Sequence, residues 1–422
     1  MRRIQLLILF LFAIQATTTF AQSDTLRLNI TQVENLFLKN NYELLLSNYQ
    51  IESAKAEIIT AKLFDNPELE YENLFYNHET KKFLQTSYEY GQYSASISQL
   101  VKLADKRNKN IKLAQTGVKL AELEYFDLMR TMKFELQNTF YKIYFASQSL
   151  TVFNNQILPT EQLLKAYTIQ LMAGNVAAKD VIRIKSLLIG LKAERTELLN
   201  ELEDDFRDLR LMCGLKPYTP ITLLLSEKTQ NQSITNFSYN KLLDSARNNR
   251  SDLKLAKTDL LYNEANLKLQ KVMAIPDVEV SLSYDLKGNY PEKYTGLGIK
   301  IPIPLFNRNQ GEIKKVKIGI DAANTRVKKQ ELILENEVFN SYQTAIRNEQ
   351  SLKEIDPYFN SGFNKIITGL VKNFRERNIS LIEFLDLYES YKDNTLQINK
   401  LELARMSSRA EINFVTGTNI FK

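Results

Sequence analysis

IKIPIPLFNRNQG, residues Ile299–Gly311, is the stretch where the chain changes period. Leu297, Ile299, Ile301 and Ile303 alternate with Gly298, Lys300 and Pro302, the period-2 pattern of a strand with one apolar side. Pro302 and Pro304 then end any ladder, because proline has no N–H to donate. A long amphipathic helix is expected from Gln310 to about Phe374, with Leu334, Val338, Ala345, Leu352 and Ile355 on its seam. A strand that feeds directly into so long a helix suits a sheet that continues into a tube.

Read backwards from this seam, Pro276 opens a strand in which Val278, Val280, Leu282, Tyr284 and Leu286 alternate with Glu279, Ser281, Ser283, Asp285 and Lys287. The two strands make a hairpin over 276–304. Before it, Tyr239–Met273 reads as a helix. After it, a turn at Arg377–Asn378 leads to a final helix, Ser380–Val415, capped at Gly417. The first half has the same order. Thr31–Leu63 reads as one helix, 66–99 as a hairpin, Leu103 to about Ala173 as a long helix in which Pro159 predicts a kink or break, Gly174–Asn175 as a turn, and Lys179–Met212 as a helix closed by Gly214. Pro67 and Pro276 are 209 apart, Asn175 and Asn378 are 203 apart, and Gly214 and Gly417 are also 203 apart. These separations identify an internal repeat. The organisation expected is a signal peptide over 1–21, repeat 1 over 22–215, a connecting segment over 216–238, and repeat 2 over 239–422.

Met129, Leu136, Ile143, Leu150 and Ile157 recur every seven residues, as coiled-coil packing requires. The long helix of repeat 1, about 71 residues, would reach roughly 105 Å, and its two flanking helices placed end to end would reach about the same length. Each repeat therefore makes one continuous rod beside one rod built from two halves.

Arg2 and Arg3, an apolar run from Ile4 to Ile14, and Thr19–Ala21 form a secretory signal with a small-residue cleavage site. The run is too short for a spanning anchor. The chain carries a formal charge of +6 with both signs interspersed, which argues against a nucleic-acid surface. One cysteine, Cys213, and one histidine, His78, exclude an internal disulfide and a Cys/His metal cluster. Neither a nucleophile motif nor a phosphate loop is present, so no catalytic residue, metal ligand or cofactor is assigned. The strands have the length and alternation of outer-membrane strands, and Tyr88, Tyr90, Tyr93, Tyr284, Tyr290 and Tyr294 are placed as an interfacial girdle. Four strands cannot close a barrel, so hairpins in lipid require oligomerisation. The competing reading is a soluble hairpin packed on the helices.

Two helix–hairpin–helix repeats, IPIPLFNRNQGEI at Ile301–Ile313, and helices ending in Cys213-Gly214 and Thr416-Gly417 resemble the TolC-type outer-membrane efflux proteins. The proline-rich strand followed by Leu305-Phe306-Asn307-Arg308 looks like the heavy-metal, CusC/CzcC-type branch. Repeat 1 departs from it, since Ser98–Lys102 contains no proline. The resemblance implies a mainly α fold with a small β part: a coiled-coil α-helical barrel continuing into an outer-membrane β-barrel of four strands per chain and twelve per homotrimer. It implies a passive exit duct that works with an inner-membrane efflux pump and a periplasmic adaptor (membrane fusion) protein, and that sits in outer-membrane lipid with its helices in the periplasm. Metal cations are the cargo implied by the branch. Drug or type I protein export remains an alternative, as does a secreted coiled-coil scaffold or adaptor without a pore.

Three groups of site residues follow from the resemblance. The tip turns Gly174, Asn175, Val176 and Arg377, Asn378, Ile379 would meet the adaptor, although the second lacks the usual glycine. Glu383 and Asp386, at i and i+3 on one helix face, would line a lumen constriction, with Asp180 the weaker match in repeat 1. An ordinary solvated helix start explains the same charges. Pro302, Pro304, Leu305, Phe306 and Asn307 would form the strand-to-helix junction.

Overall fold

The computed structural model describes residues 25–225, 233–289, 291–355, 369–370, 372–374 and 376–421. The signal segment and Tyr290 lie outside the described residues, as does much of the expected long helix of repeat 2 beyond Ile355. The first half contains β1 (Leu26–Asn29), α1 (Ile30–Asn40), α2 (Tyr42–Lys62), β2 (Glu68–Asn73), β3 (Tyr76–Asn77), β4 (Lys82–Phe83), β5 (Tyr93–Val101), α3 (Lys106–Met172) and α4 (Ala178–Met212). The second contains β6 (Ile221–Leu224), a 3-10 turn (Ile234–Asn236), α5 (Tyr239–Asn249), α6 (Ser251–Met273), β7 (Val278–Asp285), β8 (Tyr294–Lys300), α7 (Gln310–Lys353) and α8 (Leu381–Thr416).

Four strands form one antiparallel sheet in the order β2-β5-β7-β8. Its register sorts most of the side chains by polarity, with Asn73, Gln99 and Thr295 the polar members of the apolar face and Leu100 and Tyr294 the large apolar members of the other. Leu69, Ile97, Leu282 and Leu297 lie in one row across the sheet, and Glu70, Ser96, Ser283 and Gly296 in the next. One face is therefore mainly apolar and the other is built mainly from serine, glycine and carboxylates, with Lys300 beside Glu279, because neighbouring residues in a strand point to opposite faces. Strands β2 and β8 are the open edges.

Each strand continues into a rod. α2 enters β2, β5 leads to α3, α6 enters β7, and β8 leads to α7. α3 packs against α2 and α4 on one side and α6 and α8 on the other, while α7 packs against α6 and α8. The rods thus stand in the same order as the strands. α3 is unbroken over 67 residues, roughly 100 Å at 1.5 Å per residue. It stays helical through Pro159, and no break occurs there. Leu136 and Ile143 of its heptad seam are fully buried, with Phe140 beside them. The α3–α4 pairing is antiparallel, fixed by Arg195 Nε donating to Asn154 Oδ1 at 2.8 Å and by a Lys142–Asp205 bridge at 3.0 Å.

The structure corrects several sequence expectations. Thr31–Leu63 is two helices, α1 and α2, parted at Asn41, whose backbone is extended at φ −70° and ψ 122°. Tyr239–Met273 is likewise α5 and α6, parted at Arg250 with φ −61° and ψ 127°. Hydrophobic spacing continues across both breaks, so periodicity does not register them. The second strand of the first hairpin begins at Tyr93, leaving Tyr88 and Tyr90 in the preceding loop, where β3 and β4 form a small hairpin of their own. β8 ends at Lys300, short of Ile301 and Ile303, because Pro302 cannot donate to the ladder. The connecting segment does more than cross the surface. β6 pairs in parallel with β1, and Leu223 and Ile234 are buried.

Candidate functional site: tips, junctions and the belt between them

At the far end of α3, the chain turns through a Schellman motif. Gly174 N–H donates to Leu171 O at 3.0 Å and Asn175 N–H to Gln170 O at 2.9 Å, with Gly174 left-handed at φ +76°. The second tip repeats this motif without glycine. Arg377 N–H donates to Phe374 O at 3.1 Å and Asn378 N–H to Asn373 O at 2.9 Å, and Arg377 itself takes φ +62°. A left-handed arginine costs roughly 1–2 kcal/mol in backbone energy, and the two hydrogen bonds offset that cost. Gly174, Asn175, Arg377 and Asn378 are exposed, whereas Val176 and Ile379 are half-buried beneath them.

The two tips adjoin. Tyr167 of α3 stacks on Phe374 at 6.0 Å, Phe374 on Phe384 at 4.7 Å, and Phe384 on Tyr388 at 5.1 Å. The Tyr167 phenol is pushed up chiefly by burial and further by the Asp180 charge, with Arg377 opposing. Both tips therefore act on one side chain. Gln156 and Tyr388 lock the rods one step further in, with Gln156 Nε2 donating to Tyr388 O at 2.8 Å and the Tyr388 hydroxyl to Gln156 O at 3.3 Å.

Glu383 and Asp386 are both exposed, on the side of α8 opposite the buried Phe384 and Tyr388. Glu383 also has a local task. Ser380 N–H donates to its carboxylate at 2.8 Å, and Glu383 N–H donates to Ser380 Oγ at 3.2 Å, a complete capping box. The Ser380 backbone N–H holds the Glu383 carboxyl below the usual range. The Ser-x-x-Glu spacing that signals such a cap is present in the sequence at Ser380–Glu383. Asp180 occupies the third position of α4 behind Ala177, which offers no capping side chain.

The junctions at the other end also match between halves. β5 reaches α3 through four residues, ending in Asp105 at φ +62°, and β8 reaches α7 through nine, ending in Asn309 at φ +57°. Pro302, Leu305, Phe306 and Asn307 are exposed and Pro304 is half-buried. Asn307 Oδ1 accepts from Asn309 N–H at 3.0 Å, and Asn309 Nδ2 donates to Gln270 O at 2.8 Å, which ties α7 to α6. The two halves are joined by buried Lys106, which donates to Ile275 O at 2.6 Å and pairs with Asp277 at 2.7 Å. Asp277 also accepts from Leu103 N–H at 2.9 Å.

Between tips and junctions lies a belt that sequence reasoning missed. Gly214, at φ +62°, sits so close to the Asn41 break that an added Cβ would meet Asn40 O at 2.8 Å. Asn41 Nδ2 donates to Met212 O at 2.9 Å, closing the last turn of α4. Gly417, at φ +66°, meets the Arg250 break in the same way. Arg250 is 2% exposed and holds Asp252 through a bidentate pair and Glu337 at 2.6 Å. Arg130 reaches Asp252 at 3.3 Å and Phe414 O at 3.0 Å. Nearby, Arg409 and Glu349 form a buried pair at 3.0 Å. Burial acts to raise the Glu349 carboxyl, but hydrogen bonds from Ser233, Arg409 and Ile234 N–H outweigh it and hold the group below the ordinary range. These ions are invisible in sequence because interspersed charges read as a solvated surface.

Among the described residues no group of three or more His, Cys, Asp or Glu side chains could hold a metal, and no helix is long and apolar enough to cross a membrane. Cys213 is buried, and its thiol is pushed up to about 12 by burial.

No family model matches the sequence. The chain is 19% identical over 275 residues to the cobalt-zinc-cadmium resistance protein CzcC of Cupriavidus metallidurans, an alignment that covers 65% of this chain and 62% of that protein. The chain thus spans about three fifths of the length of this curated relative. In three dimensions it is similar to the Campylobacter jejuni CmeC outer membrane channel, with a TM-score of 0.72 at 13% identity over 92% of this chain and 85% of that one. It is also similar to CusC, with a TM-score of 0.69 at 14% identity over 92% of both chains. The outer-membrane channel OprN matches with a TM-score of 0.69 at 14% identity, covering 92% of this chain and 89% of that one.

Proposed function

We propose that this chain, which has the fold of the TolC-type outer-membrane channels, is the exit duct of a tripartite efflux system, embedded in the outer membrane as a homotrimer. The observation that carries this reading is the β2-β5-β7-β8 sheet, with one mainly apolar face, one mainly polar face and two open edges. Open edges in lipid leave backbone groups unpaired at several kcal/mol each, so β8 of one copy must pair with β2 of the next. Two copies would give eight strands, a barrel whose interior side chains fill. Three copies give twelve strands and leave a lumen lined by serine, glycine and carboxylates. The rods, standing in the same order as the strands, would then close into a helical tunnel continuous with the barrel.

In this reading the chain conducts passively. Energy comes from an inner-membrane pump, and a periplasmic adaptor docks on the tip turns at Gly174–Val176 and Arg377–Ile379. Glu383 and Asp386 of three chains would make an acidic ring where the tunnel narrows, which favours cations. Metal cations are the cargo this supports best, in line with the similarity to CzcC, a cobalt-zinc-cadmium resistance protein. Mass measurement of the detergent-solubilised protein tests the assembly, and three chain masses are expected. A monomer of unchanged helicity would contradict it. Loss of the protein from its host should raise sensitivity to cobalt, zinc or cadmium. Unchanged metal tolerance would exclude that cargo and leave the duct standing.

A further inference from the structure

β8 is too short for the membrane it is read to cross. Its seven residues extend about 23 Å, and at a tilt near 40° they span only about 18 Å of an apolar band about 25 Å tall. The apolar stripe of its outer face does not stop there. Leu297 and Ile299 are followed, past the last ladder pair at Glu279–Lys300, by Ile301, Ile303 and Leu305, all exposed. Phe306 ends the run at 92% exposure.

This extension exposes fewer backbone polar groups than an ordinary strand end. Pro302 and Pro304 remove two N–H donors that lipid could not satisfy. Leu305 N–H donates to Ile303 O at 2.9 Å. The carbonyls of Leu305 and Phe306 accept from Arg308 Nη2 at 3.4 Å and Gln310 Nε2 at 3.1 Å. Directly behind the apolar run come Arg308, Lys314, Lys315 and Lys317, all exposed, against a single carboxylate, Glu312, which lies 3.5 Å from Lys315. The first half has a smaller version, with exposed Leu63 and Phe64 and the Arg107 guanidinium 4.4 Å from the Phe64 ring.

We infer that Ile301–Phe306 is a membrane-interface wedge seated in the leaflet nearer the helices, and that Arg308, Lys314, Lys315 and Lys317 recruit anionic phospholipid headgroups around it. The inference rests on the channel reading. An apolar wedge flanked by cations is the arrangement that binds an anionic lipid surface, since each cation near it adds attraction. It also gives the prolines of the junction a purpose, namely to carry the stripe past the end of the sheet with two fewer backbone donors to satisfy.

The chain contains no tryptophan, so F306W places a single tryptophan on the wedge, excited selectively over the tyrosines at the red edge of its absorption. The full-length F306W protein is reconstituted into mixed phosphatidylcholine and phosphatidylglycerol vesicles, with one lipid or the other brominated on its acyl chains. Blue-shifted emission is expected, with quenching by brominated phosphatidylglycerol about fivefold stronger per mole than by brominated phosphatidylcholine, the enrichment one surface cation supports. Adding R308Q, K314Q, K315Q and K317Q should bring the ratio to about one while emission stays blue-shifted. I382W, at an exposed tip residue, should be quenched by neither. Water-like emission from F306W, or blue-shifted emission that no lipid quenches, overturns the wedge, the latter meaning burial against another copy. Equal quenching by both lipids before the glutamine changes overturns the headgroup recruitment. Protein that conducts in a planar bilayer but fails these tests refutes the inference alone, and protein that never conducts refutes the channel reading with it.

Discussion

Gly214→Ala should cost far more than Gly174→Ala, although both glycines are left-handed caps at helix ends. Both substitutions carry the same backbone penalty of roughly 1 kcal/mol or a little more, since φ is +62° at Gly214 and +76° at Gly174. They differ in what the new methyl meets. At Gly174 nothing lies within 4 Å, whereas at Gly214 the Cβ would fall 2.8 Å from Asn40 O and 2.9 Å from Asn40 Cβ. Those atoms belong to Asn40, the last residue of α1 before the Asn41 break, so the backbone there must retreat. The retreat stretches two hydrogen bonds, Asn41 Nδ2 to Met212 O at 2.9 Å and Asn40 Nδ2 to Cys213 O at 3.3 Å. At about 1 kcal/mol net for each bond, Gly214→Ala should lose about 3 kcal/mol in total. Denaturant unfolding of the solubilised protein, followed by helical circular dichroism, reads the difference. Equal losses at the two glycines would refute the claim that the belt is held by this close backbone approach.

Arg250→Met should destabilise by about 3 kcal/mol, because Asp252 and Glu337 lose the guanidinium buried between them. The cost sits at the low end for a broken buried pair since Arg130 remains 3.3 Å from Asp252; the unfolding midpoint measures it. Burial pushes the Tyr388 and Tyr141 phenols up to about 12 from an ordinary value of 10. The folded state therefore resists their ionisation, and the stability they contribute is complete below pH 10 and lost as pH rises through about 12. Tyr388→Phe should flatten the decline of the unfolding midpoint across that window. Glu383→Gln with Asp386→Asn should shift the reversal potential towards weaker cation selectivity in a salt gradient, and an unchanged potential would remove both residues from the lumen.

The periodicities carried much of the fold. Period 2 over Val278–Asp285 and the heptads of Met129–Ile157 correspond to strand β7 and the unbroken α3 because each pattern records which side of an element is buried. The breaks at Asn41 and Arg250 leave that pattern intact. They exist for the caps of helices more than 160 residues away, a tertiary demand that local spacing does not record. Buried Arg250, Arg409 and Lys392 were equally hidden, since a charge reads as exposed until its partner across the bundle is known. The left-handed Arg377 shows the reverse case. Its lack of glycine read as a departure, yet the turn keeps the geometry of Gly174 because the same two hydrogen bonds close it. The capping role of Glu383 is legible in Ser380-x-x-Glu383, because that spacing places its carboxylate at the Ser380 N–H whatever else the side chain faces.

Single-channel recording in planar lipid bilayers tests the central claim most directly. Purified full-length protein should insert as trimers and produce discrete, uniform conductance steps. Protein that remains monomeric, or that adds no conductance when it associates with the bilayer, would contradict the account.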